Sequence, residues 1–172
     1  MANKAYFISV AELKRKSIID GNVDGDKLMQ FIEVAQDMHV QNYLGTNLYK
    51  ALQLMITGAT IDDAGNSDYK DLLIDYIKPM LVWYSQVEYL PFAMFQIQNG
   101  GVYKHSSEKA ETVTLEEMRS MLSSARDKAE FYTRRFIDYA CDNDDLFPEY
   151  NTTSADSDMH SDGDVNFTGW VL

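Results

Sequence analysis

Residues 114–140 read TLEEMRSMLSSARDKAEFYTRRFIDYA. Leu115, Met118, Leu122, Ala125, Ala129, Tyr132, Phe136 and Tyr139 recur there in steps of three and four, which winds them onto one face of a helix. Thr114 precedes the run and Glu117 stands three residues on, a pair that satisfies the first free amides of a helix from both sides. The stretch predicts a long amphipathic helix, and such a helix needs a body on which to bury its stripe.

That body is legible upstream. Tyr69, Leu72, Leu73, Tyr76, Ile77, Met80, Leu81, Tyr84 and Val87 predict a helix apolar on more than one side, so two neighbours must cover it. Pro79 inside it removes an amide donor and should kink the helix or begin a new one. Leu48, Leu52, Met55 and Ile56 share one face of an earlier helix that Thr46 or Asn47 can cap. Tyr43-Leu44-Gly45 supplies the glycine that ends the helix before that, carried by Leu28, Phe31, Ile32, Ala35 and His39. A short first helix starts at Ser9, with Glu12 reaching back to its amide, and ends near Ser17.

Between these runs the chain is punctuated. Residues 58–66 have turn-forming composition and no periodicity, which predicts an exposed loop. Asn99-Gly100-Gly101 closes the helical region, and Val102-Tyr103-Lys104 predicts an extended loop or hairpin arm. The expectation is an all-α fold, a compact bundle of about four to five helices over residues 1–142. An irregular acidic C-terminal arm over residues 143–172 follows it.

The formal net charge of -12 is unevenly spread, because all 15 lysines and arginines lie at or before Arg135. Residues 142–172 hold eight acids, leaving 19 acids against 15 bases in the first 141 residues. A nearly balanced body joined to a strongly acidic tail opposes the counterion-release attraction on which DNA binding rests. The apolar stretch 80–95 is broken by Ser85, Gln86, Glu88 and Pro91, so it predicts core rather than a membrane span. The first residues have too short an apolar run for a secretory signal. A single cysteine, Cys141, rules out an internal disulfide and a thiol-based zinc site and fits a reducing compartment.

Chemistry has no visible address. The histidines are His39, His105 and His160, and none sits in a nucleophile or metal motif; His39 lies on an apolar stripe, where a hydrogen-bonded packing role is the expectation. The phosphate-loop, dinucleotide and zinc-helix patterns are missing from the sequence. Asp158-Met-His160-Ser-Asp162-Gly163-Asp164 imitates the start of a calcium loop. It fails at position three, His160, and at position twelve, Gly169, where a bidentate Glu belongs. Lys14-Arg15-Lys16 reads as a solvated helix end favoured by the helix dipole. Trp83, Tyr84, Tyr89, Phe92 and Phe95 at helical spacing read as core rather than as a ligand pocket. The expectation is a non-enzymatic protein with no cofactor and no metal.

A helix ending Tyr43-Leu44-Gly45 before Leu48-Tyr49, an aromatic helix, the loop from Gly101 to Glu108, and Ala129-Glu130-Phe131-Tyr132 with Phe136-Ile137-Asp138-Tyr139 together resemble the head-to-tail connector, or adaptor, proteins of tailed bacteriophages. The resemblance is strongest to the ring proteins of crAss-like phages, and it covers about residues 5–150. It implies a virion structural protein at the head–tail interface, made in the bacterial host cytoplasm. It also implies a homo-oligomeric ring, usually of twelve copies, docked below the portal protein and contacting other ring or tail proteins around the DNA channel. By position the resemblance implies subunit or partner contacts at Gly100, Gly101, Val102, Tyr103 and Lys104 and in the tail at Phe147 and Tyr150. The physics of the tail adds Phe167, Trp170, Val171 and Leu172, because a polar segment with few apolar residues gains order only by docking them on a partner. The alternative is a monomeric helical binding module or regulator that holds a small apolar ligand between aromatic helices.

Overall fold

The computed structural model describes residues 4–19, 22–93, 95–98, 101–104, 114–150, 152 and 157–163. Helix α1 (Val10–Lys16) starts where expected, with the Ser9 hydroxyl accepting from the Glu12 amide at 3.1 Å. The Glu12 carboxylate turns away from the cap and pairs with Lys16 at 2.9 Å and Lys78 at 3.1 Å. Helix α2 (Gly25–Ala35), capped by Asp24, continues through a π turn, Gln36–Val40, into α3 (Gln41–Thr57). Gly45 interrupts this run with φ 71° and ψ 160°, so the glycine stop stands where the sequence placed it.

The expected exposed loop after α3 is folded back onto the helix end. Thr60 and Ile61 donate to the Met55 carbonyl at 2.9 and 3.2 Å, and Ala59 takes the left-handed conformation, φ 55°. Helix α4 (Ser67–Asp71), a π turn at Leu72–Ile77 and α5 (Lys78–Tyr89) form the next run. Pro79 is the second residue of α5, a first-turn position where a proline is tolerated, so of the two expected outcomes the structure shows the new helix. The wider turn ahead of it accommodates the missing amide, and the backbone stays helical at Ile77 (φ -75°, ψ -46°).

The helical region closes earlier than the sequence suggested, at a 3-10 turn Leu90–Phe92 around Pro91. Strands β1 (Phe95–Gln98) and β2 (Gly101–Lys104) then pair antiparallel, Phe95 opposite Lys104 and Gln98 opposite Gly101. The extended arm is therefore a hairpin. Asn99-Gly100 joins two strands instead of ending a helix, and Asn99 and Gly100 themselves lie outside the described residues. Asn-Gly between short alternating runs is the strongest short-range hairpin signal, and Phe95-Gln96-Ile97-Gln98 is such a run.

Helix α6 (Leu115–Asp142) carries the full reciprocal cap, with the Glu117 amide on the Thr114 hydroxyl at 3.3 Å and the Thr114 amide on Glu117 Oε2 at 2.8 Å. Its buried face is Ala125, Ala129, Thr133, Phe136, Ile137 and Ala140, and the alanines let α5 approach closely. As the two-sided pattern of residues 69–87 required, α5 lies between α2 and α6. The stripe of α6 is longer than the body it packs on: its first residue, Leu115, is 57% exposed. The fold is all-α, with the hairpin as its one strand pairing among the described residues.

Gln36 and His39 are polar residues inside the core that find partners there. Gln36, fully buried, accepts from the Phe7 amide at 2.8 Å and donates to the Ala5 carbonyl at 2.9 Å, fastening the N-terminal segment to α2 and α3. His39 has the packing role expected of it: its Nε2 lies 2.8 Å from Glu88 Oε1 and its ring stacks on Tyr84 at 4.0 Å between centroids. Tyr84 is core, whereas Phe92 is 53% exposed. The core does not stop at Asp142, where composition alone placed the domain edge. Phe147 (0% exposed) and Tyr150 (4%) belong to the same apolar cluster as α2, α3, α5 and α6. No helix among the described residues is long and apolar enough to cross a membrane.

Candidate assembly surface

A helix interrupted at one residue leaves carbonyls before the break and amides after it without partners in the helix. At Gly45 these groups are taken by a segment more than a hundred residues later. The Asp162 amide donates to the Asn42 carbonyl at 3.0 Å, and the Thr46 amide donates to the Met159 carbonyl at 3.0 Å. The Thr46 hydroxyl accepts from the Met159 amide at 3.0 Å and donates to the Asp158 carboxylate. Asn47 Nδ2 donates to the Thr152 carbonyl at 2.7 Å, and the Ser157 hydroxyl donates to Asn47 Oδ1 at 2.9 Å. Thr46 and Asn47, expected as helix caps, thus hold the tail, and the tail completes the cap.

Gly45 is required twice over. Its φ of 71° with ψ near 160° is a region only glycine enters readily. A Cβ there would also lie 2.8 Å from the Ser161 amide nitrogen, a backbone atom with no freedom to give. The same contact fixes the level at which residues 160 and 161 cross the break. Asp158 stands at the amino end of the resumed helix, where a negative charge is favoured. Hydrogen bonding from Thr46, despite some desolvation, holds its carboxyl below the usual carboxylate range.

These contacts change the account of the C-terminal arm. Phe147 and Tyr150, expected to reach a neighbouring subunit, are instead core residues of their own chain. Phe147 packs edge-on to Tyr69 at 5.3 Å, and Tyr150 edge-on to Phe136 at 5.8 Å. Their aromatic surface is worth more buried against α4 and α6 than held out for a partner. Residues 157–163 are docked on the body as well. Two acids of the calcium-like stretch serve that docking, Asp158 through Thr46 and Gln41, and Asp162 through Asn42. Of the other expected contact residues, Gly101, Val102, Tyr103 and Lys104 form β2. Gly100, Phe167, Trp170, Val171 and Leu172 lie outside the described residues.

Beside the docked segment runs an open groove of about 660 Å³. Tyr49, Lys50 and Leu54 of α3 form one wall, Met38 and Gln41 another, and Met159 of the tail closes an edge. Its apolar side chains face solvent, Leu54 being 71% and Met38 60% exposed. The polar end is satisfied within the chain: Asp37 accepts from Tyr49 Oη at 3.1 Å and pairs with Lys4. This groove was missed from the sequence. Its only sequence signal is that Leu54 falls off the Leu48, Leu52, Met55 and Ile56 face, an apolar residue on the wrong side of its helix. Among the described residues no group of three or more histidines, cysteines and carboxylates is placed to hold a metal ion.

The model of a protein family described as "Family of unknown function (DUF6712)" matches residues 40–158, a span that runs from the π turn before Gly45 to the tail residue that grips Thr46. No curated protein and no solved structure matches the chain.

Proposed function

The chain belongs to the DUF6712 family, and we propose that it is a virion structural protein, a subunit of a head-to-tail connector ring that docks below the portal and links capsid to tail around the DNA channel. The observation that carries this reading is that the body buries its own aromatic core yet leaves an apolar groove open, with Leu54 71% exposed. The sequence, meanwhile, places Phe167, Trp170, Val171 and Leu172 beyond the docked segment. Apolar surface left open to water is stabilised when a partner covers it. The exposed first turns of α6, with Leu115 and Met121, add apolar surface of the same kind. A net charge of -12 suits a wall that DNA passes without sticking.

Electron microscopy of the chain co-expressed with its portal protein tests the proposal. Twelvefold rings on the portal are the expected result; a monomer that leaves the portal bare overturns it. The second reading, a monomeric module with a small apolar ligand, draws on the groove volume of about 660 Å³, which falls in the range of small-molecule sites. It locates the ligand along α3 and not between the aromatic helices, where Tyr84 is packed solid at 2% exposure.

A further inference from the structure

We infer that Cys141 is a site of reversible oxidation by a hydroperoxide, with the buried hydroxyl of Tyr150 holding the oxygen that the sulfur gains. Tyr150 is 4% exposed, and among the described residues its hydroxyl is the one buried side-chain oxygen or nitrogen without a nitrogen or oxygen partner. Folded proteins pair such groups, so an orphan requires a physical reason. The side chain is not free to turn to water. Its ring stands edge-on to Phe136 at 5.8 Å in the core, and its own carbonyl accepts from the Ser161 hydroxyl at 3.0 Å, which ties the residue to the docked tail.

The group facing the hydroxyl is the thiol of Cys141, in the last turn of α6. A thiol sulfur is a weak acceptor, so the phenol O–H is left underused. Cys141 itself is exposed, and a peroxide in solution reaches it. The pair is therefore open to a reagent at the sulfur and closed around a donor at the phenol. In the reaction, the thiolate sulfur attacks one oxygen of the hydroperoxide. The S–O bond forms as the O–O bond breaks, sulfur gives up two electrons, and the other oxygen leaves with them and takes a proton from water. The sulfenic oxygen is a far better acceptor than sulfur, and the Tyr150 O–H donates to it. What the phenol changes is the lifetime of the product, because the reduced thiol has no such oxygen. Composition lengthens that lifetime further. Cys141 is the one cysteine of the chain, so no thiol of its own chain condenses with the sulfenic acid, and return to the thiol waits for a thiol from outside.

The test treats the full-length natural chain and the Tyr150→Phe and Cys141→Ser chains with hydrogen peroxide. Sulfenic acid is then read by dimedone labelling, which leaves methionine sulfoxide untouched, and mapped by peptide mass. Tyr150→Phe discards only the orphan hydroxyl, so the reduced variant should melt no lower than the natural chain; a lower melting temperature would show the hydroxyl already satisfied and overturns the inference. The expected label falls on Cys141 and is missing at that position in Cys141→Ser. Once peroxide is removed, the label-competent form should decay at least about tenfold more slowly in the natural chain than in Tyr150→Phe, the factor set by one hydrogen bond to a charged oxygen. A natural chain that takes no label at Cys141 overturns the inference, and so does decay no slower than in Tyr150→Phe.

Discussion

Replacing Gly45 with alanine tests the union of helix break and tail most directly. The substitution forces an L-residue to hold φ 71° with ψ 160°, a strain of about 1–3 kcal/mol. It also drives a methyl group to 2.8 Å from the Ser161 nitrogen. The tail has to lift, and with it go the hydrogen bonds Thr46 to Met159, Met159 to Thr46 and Asp162 to Asn42, each worth about 0.5–1.5 kcal/mol net. Strain relieved by lifting and bonds lost by it partly exchange, so the total is about 3–5 kcal/mol. Urea unfolding followed by circular dichroism reads this as a midpoint lowered by about 2 M, taking a slope of about 2 kcal/mol per molar. Hydrogen exchange reads it locally, as lost protection of the Thr46 and Asp162 amides. Gly65→Ala is the control, because a Cβ there meets nothing within 4 Å, and it should change stability by no more than about 0.5 kcal/mol. A Gly45→Ala chain destabilised by less than about 1 kcal/mol, with both amides still protected, would refute the argument that the tail backbone crosses the break at this level.

Phe147→Ala removes a fully buried ring shared with Tyr69 and Tyr139; a loss of about 3–5 kcal/mol should lower the melting temperature by about 10 °C, whereas a free arm residue would show almost no change. Asp158 has its folded pKa lowered, so its contribution is complete above about pH 4, the ordinary value of an aspartate, and is lost as pH falls through the lower folded value. Exchange protection at the Thr46 amide should accordingly fall below about pH 4 in the natural chain, and in an Asp158→Asn chain the part of that fall due to this carboxyl should vanish. Ala59→Gly removes a side chain from a left-handed position, φ 55°, and should stabilise by about 1 kcal/mol, seen as a melting temperature raised by about 2–4 °C; a lowered value would mean that the turn after α3 is not held in this conformation.

Several elements were legible because the interactions that form them are local. The cap of α6 is made by Thr114 and Glu117, three residues apart, and the stop at Gly45 is a property of one residue's backbone. His39 was placed by the spacing of its own helix. Where two local signals competed, the reading slipped: Asn99-Gly100 serves equally as a helix stop and a hairpin turn, and only the alternation of Phe95 to Gln98 favours the second. Pro79 likewise stated that the helix had to adjust without stating that a π turn would absorb the adjustment.

The amino-acid sequence alone determined the all-α class, the long capped helix, the helix stop at Gly45 and the uneven charge, since each depends on residues within a few positions of one another or on simple counting. Tertiary structure decided that Thr46 and Asn47 hold the tail, that Phe147 and Tyr150 close the core, and that Met38, Leu54 and Met159 border one groove. The tail contacts of Thr46 and Asn47 join residues 105 to 113 positions apart, Phe147 meets Tyr69 from the far side of the chain, and no periodicity links such positions. Which acceptor an exposed amide finds is set by the packing that brings it near, and that packing exists only once the chain has folded.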